Sequence, residues 1–291
     1  MVTGNNLTAP VPATSEFFDP TYSDEPASNY ILLLEIASKS VKASWYHKSK
    51  NLITGFAKYP IEIGSATNGI ESLLKSYPFL GSDFDQTIIS LFTHNCQIFP
   101  LGVGIKTGEE IFSLTNELNA ETDQLLNHEL VSGQTILQYT ASRKLVAEIN
   151  RCFPKSLLIP HLAPRIEDGL IRLKKSILTN QLSAHIEDDY ITIIAFENRQ
   201  LILSNSFYQT GKEDVAYYIL YVAEVLGFDS EKTNLHLSGQ IKIGDDKWNI
   251  LSAYWKRIKI AEALLGIDLS GQIHSRPQGE FDYLTQQLLC A

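Results

Sequence analysis

The sequence predicts an α/β protein in which one βββαβα unit is used twice, giving two lobes around a central cleft. Two observations carry this. Residues 30–59 and 182–208 each read as three strands joined by tight turns. Each run is then followed by a helix, a strand and a further helix, and strands that alternate with helices after a meander require a mixed sheet with helices on its faces.

The elements follow in order. Residues 30–36 are almost continuously apolar, as expected of a strand buried on both faces. Val41, Ala43 and Trp45 then alternate with polar neighbours, and 51–61 follows a short turn at 47–50, completing an antiparallel meander. A helix is predicted over 67–77, with Ile70, Leu73 and Leu74 on one face and Pro78 as its stop. A strand at 86–92 precedes a helix at 107–118, for which Thr107 is the candidate cap ahead of Glu109 and Glu110. Residues 123–140 read as an inserted hairpin about Ser132 and Gly133, and a helix (142–151), a strand (157–160) and a long helix (164–178) close the half.

The second unit repeats the order. Turns at 187–189 and at Asn198 and Arg199 separate its strands, with 190–196 and 201–207 rich in Ile, Thr and Phe. A helix over 213–226 ends at Gly227, a residue suited to the left-handed position past a helix. A strand at 234–237, with Ser238, Gly239 and Gln240 at its carboxyl end, leads to a helix at 246–258 and a short final helix at 281–289. The expected division is a leader at 1–28, a first lobe at 29–179 and a second at 180–291. Pro10, Pro12, Pro20 and Pro26 give the leader a composition that builds no core of its own, and Phe17, Phe18 and Tyr22 are its candidate contacts with the body.

Composition narrows the function classes. A chain of 291 residues with 44% hydrophobic content can bury ample core without staples. A net charge of −9 argues against a nucleic-acid surface, and no basic cluster stands out beyond Arg172, Lys174 and Lys175. Three scattered cysteines, Cys96, Cys152 and Cys290, fit reduced thiols, and the seven histidines show no HxH or HxxxH spacing, so no metal is expected. With no signal-like start and no long apolar run, the expectation is a cytoplasmic protein with no direct membrane insertion.

This order of elements resembles the actin-like ATPase superfamily: two ribonuclease-H-like lobes in an actin-like arrangement. Within it the chain looks most like an uncharacterised bacterial family, related at a distance to the actin-like scaffold proteins of pilus and secretion machines. The resemblance implies an acidic, glycine-containing turn in each lobe that holds phosphates and hydrated Mg²⁺, and a glycine pair beneath the adenosine. The first turn corresponds to Glu35, Ile36, Ala37 and Ser38, followed by Lys39, with alanine in place of glycine. The second corresponds to Glu187, Asp188 and Asp189, which lacks glycine and carries excess negative charge. At the adenosine position only Gly239 remains.

Those departures point to a non-catalytic scaffold or interaction module with an eroded nucleotide site, no cofactor, and a protein partner or a second copy as its ligand. The cleft, the hairpin at 123–140 and the helix bearing Tyr217 and Tyr221 are the candidate surfaces. The alternative is an ATPase-like switch that binds ATP with Mg²⁺ or another phosphorylated ligand, with Glu35 organising the metal, Ser38 and Lys39 on phosphate and Gly239 under the base. A third possibility is an adaptor of a membrane machine acting through another protein. Taken residue by residue, Ser38 and Lys39 read first as ordinary hairpin chemistry, 187–189 as a solvated turn, Tyr217 and Tyr221 as rim residues of a packed helix, and Trp248 and Trp255 as core on one helix face. His94, Asn95 and Cys96 lack any thiol-protease surroundings. The pair Gly102 and Gly104 has no phosphate-loop continuation.

Overall fold

The computed structural model describes residues 13, 15–19, 25–61, 69–103, 105–115, 119, 121–132, 135–177, 180–264, 266–271, 273 and 279–291. The chain opens with strand β1 (Ser15–Phe18), then β2 (Tyr30–Ile36), β3 (Ser40–His47), β4 (Leu52–Pro60), helix α1 (Gly69–Ser76) and β5 (Gln86–Leu91). Next come β6 (Cys96–Pro100), α2 (Ile105–Thr115), β7 (Asp123–Glu129), β8 (Thr135–Ser142), α3 (Arg143–Cys152), β9 (Ser156–Pro160) and α4 (Leu162–Lys175). The second unit holds β10 (Gln181–Ile186), β11 (Tyr190–Glu197), β12 (Gln200–Tyr208), α5 (Lys212–Val225), β13 (Asn234–Gly239), α6 (Asp246–Tyr254) and β14 (Ile258–Ile260). A two-residue strand β15 (Asp268–Leu269) and a 3-10 helix (Asp282–Cys290) end the chain.

Both units have the predicted order. The first sheet runs β1-β4-β3-β2-β5-β9, with β15 beside β4, and the second runs β12-β11-β10-β13-β14. In each, an antiparallel meander joins a parallel crossover strand, β2 to β5 and β10 to β13. Strand β2 is buried along its whole length because its faces serve different cores. Leu32, Leu34 and Ile36 pack with α1 and α3, while Ile31 and Leu33 pack against α4. Helix α4 also receives Ile194 and Phe196 from β11, so it lies between the two sheets. Its approach to β11 requires glycine at 169, where any Cβ would enter the Phe196 ring.

Several local expectations change. The segment 123–140 is not a lone hairpin: β7 and β8 join β6, which the sequence did not signal, in a separate three-stranded sheet ordered β6-β8-β7. Gly133, Gly104 and His274 lie outside the described residues, as do Pro10, Pro12, Pro20 and Tyr22. Thr107 falls within α2, which begins at Ile105, and its side chain is outside the described residues. Phe17 and Phe18 belong to β1, paired with β4, and Phe18 packs against Trp45 with ring centroids 4.8 Å apart. Helix α6 stops at Tyr254. Trp255 is therefore not on a shared helix face with Trp248: it is extended, and its indole nitrogen donates to the Thr233 carbonyl at 2.8 Å from within the core. One expectation holds on α5: Val215, Ala216, Ile219 and Val222 pack on the sheet, while Tyr217 and Tyr221, 58% and 48% exposed, stack on each other at the rim.

Candidate functional site

The carboxyl ends of β2 and β10 meet at the junction of the two sheets, beside α4. Glu35 is the penultimate residue of β2 and pairs in register with Lys42 on β3. Its face of the sheet is the one covered by α4, which places Arg165 against it, with Arg165 Nη2 donating to Glu35 Oε2 at 2.7 Å. The other guanidinium nitrogen, Nη1, donates to the His161 carbonyl one helical turn back. The 3-10 helix Asp282–Cys290 supplies Tyr283, whose hydroxyl donates to Glu35 Oε1 at 2.7 Å. Its ring lies under both cations, with Arg165 Cζ at 4.8 Å and Lys42 Nζ at 5.3 Å from the centroid, a favourable arrangement for a quadrupolar face.

The second sheet contributes His185 and Glu187. Lys42 Nζ donates to Glu187 Oε1, and His185 Nε2 lies 3.0 Å from the same oxygen and 3.7 Å from Glu35 Oε1. On the far side of the ring, His185 Nδ1 is 2.9 Å from Ser238 Oγ. Glu35, Lys42, His185 and Glu187 are each 2% exposed or less. Burial alone would raise both carboxyls. Arg165, His185 and Lys42 outweigh it at Glu35 and hold that group well below the usual range, and Lys42 and His185 bring Glu187 down to about 2. Two carboxylates thus face one ammonium and one guanidinium, with a neutral sum before His185 is counted.

The two turns touch directly. Ala37 N–H donates to the Ser40 carbonyl and Glu187 N–H to the Tyr190 carbonyl, each at 2.9 Å, so residue 37 is the structural counterpart of 187. By the same equivalence the counterpart of Glu35 is His185, two residues ahead of Glu187. The second unit therefore carries an imidazole where the first carries its acid. Across the junction Ser38 Oγ donates to Asp189 Oδ2 at 3.0 Å, and Lys39 Nζ pairs with the same oxygen at 3.2 Å. Asp188 accepts from Gln240 Nε2 at 2.6 Å and has Lys58 Nζ at 3.6 Å. The turn at 187–189 is thus solvated only in part: Asp188 stays exposed, Asp189 is half-buried and Glu187 is buried. Gln209 holds it from behind, donating to the Glu187 carbonyl at 2.7 Å.

All four residues singled out from the sequence lie at this junction. Glu35 is at its buried centre, Ser38 and Lys39 are at its rim against Asp189, and Gly239 is in the floor, its N–H donating to the Gly279 carbonyl at 2.9 Å. Gly239 adopts φ +84°, and a Cβ there would run into the Ile186 carbonyl oxygen on the paired strand. Gly239→Ala is expected to cost at least about 2 kcal/mol, from left-handed strain and the backbone clash together, read as a shift in denaturant midpoint. Sequence reasoning missed Lys42, Arg165, His185 and Tyr283. Lys42 offered the one available signal, a lysine in register opposite Glu35 once the β2–β3 hairpin is drawn.

Glu35, His185 and Glu187 present ligand atoms within 4.8 Å of one another, a spacing that could hold a metal ion. A divalent cation there would stand beside Lys42 and Arg165 with no further anion to balance it, a costly arrangement in a buried site. A cavity beside the network, lined by His185, Ser238, Arg165 and Gln286 among others, has a volume of about 30 Å³, room for one water. His161, next to Arg165, offers no dyad with Ser206 at 3.4 Å. Thr93 N–H donates to its Nδ1, so Nε2 carries the proton and donates to Thr192 Oγ1 at 3.2 Å. The Cys96 thiol opens β6 and is pushed well up by burial, away from the thiolate needed for attack.

Protonation couples this region to stability. Burial depresses His161 well below its ordinary value and His236 to about 4 from 6.5, in each case with help from a nearby arginine. Both imidazoles bind protons more readily when unfolded. Their stabilising contribution is complete above pH 6.5 and is lost as pH falls below it, for His236 by about 3 kcal/mol as pH falls towards 4. Glu35 and Glu187, also depressed, contribute above about 4.5 and lose that contribution as pH falls below it, Glu187 as pH falls towards 2. Urea titrations should therefore give a flat midpoint above pH 7 and two successive losses below it.

The duplicated units around a shared junction define an actin-like ATPase fold, and structural comparison agrees. A Bacteroides thetaiotaomicron protein described as having an actin-like ATPase fold and unknown function superposes with a TM-score of 0.71 at 21% identity, covering 91% of this chain and 97% of that one. The chain in a PilM–PilN type IV pilus biogenesis complex superposes with a TM-score of 0.56 at 13% identity, covering 91% and 98%. Residues 19–258 match DUF3822, described as a protein of unknown function, and the chain belongs to that family. No curated protein matches the sequence.

Proposed function

We propose that the chain is a non-catalytic, actin-like interaction module whose nucleotide position is occupied by its own charges. The observation that carries this is the direct contact between the two turns that would grip phosphates from opposite sides, Ser38 on Asp189, reinforced by Lys42 of β3 on Glu187. Lys42 and Arg165 supply the positive charge that a metal would bring, and the acids of the second turn are already neutralised by lysines of the first lobe. Phosphates would have to break four cross-lobe contacts and enter beside three acids.

A fold that outlives its site serves as a rigid platform, and partner binding is the use supported by the fold shared with a chain solved as a complex, PilM with PilN. A protein partner or self-association is thus the proposed ligand, and no cofactor is required. The net charge of −9 speaks against nucleic acid, and no helix among the described residues is long and apolar enough to cross a membrane. A cytoplasmic location is part of the proposal. Phosphate release from ATP or GTP with Mg²⁺ tests it: release no faster than the protein-free blank is expected, and Mg²⁺-dependent hydrolysis lost in Glu35→Gln sinks it.

A further inference from the structure

An open groove of about 890 Å³ lies away from the charged junction, between the three-stranded sheet and the second lobe. Its floor is α4, through Ile166 and Leu170. One wall is β6 and the other is residues 199–205, which all line it without a gap. A strand offers alternate residues to anything lying on its face, so an unbroken run of lining residues means that the groove follows the strand's edge. That edge is open: β12 ends the order of its sheet and, among the described residues, pairs with β11 alone.

Edge strands are normally blunted by charge, proline or shortness. Strand β14, at the opposite edge, is three residues long and contains Lys259, and β6 ends in Pro100. Strand β12 has none of these devices. Its nine residues hold no charge and no proline, and Ile202 is 41% exposed. Ser204 Oγ, buried beside the groove, has no hydrogen-bond partner among the described residues. At the groove's margin stand Lys174 and Arg199, both exposed, in a chain of net charge −9. Among the described residues neither has a carboxylate partner, and the Arg199 guanidinium donates to the Ser176 carbonyl at 3.2 Å.

We propose that this groove binds an extended, apolar and acidic segment of a partner protein, added as a strand along the free edge of β12. An unpaired ladder specifies an extended backbone, the floor specifies apolar side chains at alternate positions, and the two cations specify carboxylates. About seven residues along the strand, at roughly 3.3 Å each, give the segment a length of ~23 Å. The proposal rests on the interaction-module reading and names its ligand.

The probe is a random 12-residue peptide library displayed on phage, selected against the full chain, with the selected peptides made synthetically for fluorescence anisotropy. The expected peptides alternate apolar residues and carry Asp or Glu. Their affinity should fall at least tenfold in the double variant Lys174→Glu with Arg199→Glu, exposed positions whose replacement leaves the fold intact. Amide exchange of residues 200–205 should slow in the wild-type complex. Peptides that lack the acidic alternating pattern, affinities unmoved by the double variant, no selected binder at all, or protection elsewhere would each overturn it. Phosphate release is scored on the same preparations. A failed groove with no hydrolysis overturns the groove alone, whereas Mg²⁺-dependent hydrolysis overturns the module reading as well.

Discussion

Lys42→Ala is expected to destabilise the protein by about 3–5 kcal/mol, because it leaves the Glu187 carboxylate buried without its cation. The magnitude follows from the asymmetry of buried ion pairs. Forming one gains little over a well-packed apolar pair, since desolvation consumes most of the attraction, but removing one partner exposes the full cost of the other. The discriminating comparison is Lys42→Met combined with Glu187→Leu, which removes both charges and keeps the volume. It should recover most of the loss in urea titrations at pH 7.5, with a similar m-value throughout. If the single and double variants lose stability additively, the pair does not join the lobes as described.

Arg165→Ala is expected to cost a similar amount, about 3–5 kcal/mol, for a related reason. Arg165 holds Glu35 through Nη2, caps the His161 carbonyl through Nη1 and lies over the Tyr283 ring, so its removal strands a carboxylate and loosens both α4 and the C-terminal 3-10 helix. Glu35→Gln in the Arg165→Ala background should restore part of the stability by removing the stranded charge. Lysine at 165 is not an adequate substitute, because it cannot donate in two directions from one plane. Lys39, 62% exposed on its side chain, makes the contrast: its ion pair with Asp189 is screened by solvent, and Lys39→Ala should shift the midpoint little.

The fold was legible because its signal is periodic and repeated. The fully apolar run at 30–36, the two meanders and the crossover strands could be read directly, since each face of β2 meets a different apolar layer and one face of β10 is apolar throughout. Short elements were not. Strand β6 has five residues and ends in proline, and β15 has two, so neither offers a run long enough to show a period. Trp255 was assigned to a helix because seven-residue spacing fits a helical face, whereas burial of the indole against Thr233 decided its position.

The candidate site was half legible. Glu35, Ser38, Lys39 and Gly239 were found because family turns lie at fixed places after strands, and all four do meet at the junction. Their partners were hidden for topological reasons. Lys42 looked like an outward-facing polar residue between Val41 and Ala43, yet the face it occupies is covered by the C-terminal segment, more than 200 residues later in the chain. Arg165 and Tyr283 are distant in sequence from every acid they serve, and no spacing rule links them. The turn at 187–189 looked solvated throughout because three consecutive acids usually are. Its neutralising lysines come from the other lobe.

The most direct test of a junction closed by the protein's own charges is a thermal-shift titration with ATP, ADP and GTP at millimolar concentration, each with and without Mg²⁺. A ligand that binds only the native state at 100 times its dissociation constant adds about 2.7 kcal/mol, enough to move the midpoint of a chain this size by a few degrees. The closed junction predicts an unchanged midpoint under all six conditions. A Mg²⁺-dependent rise with any of the three nucleotides would contradict it.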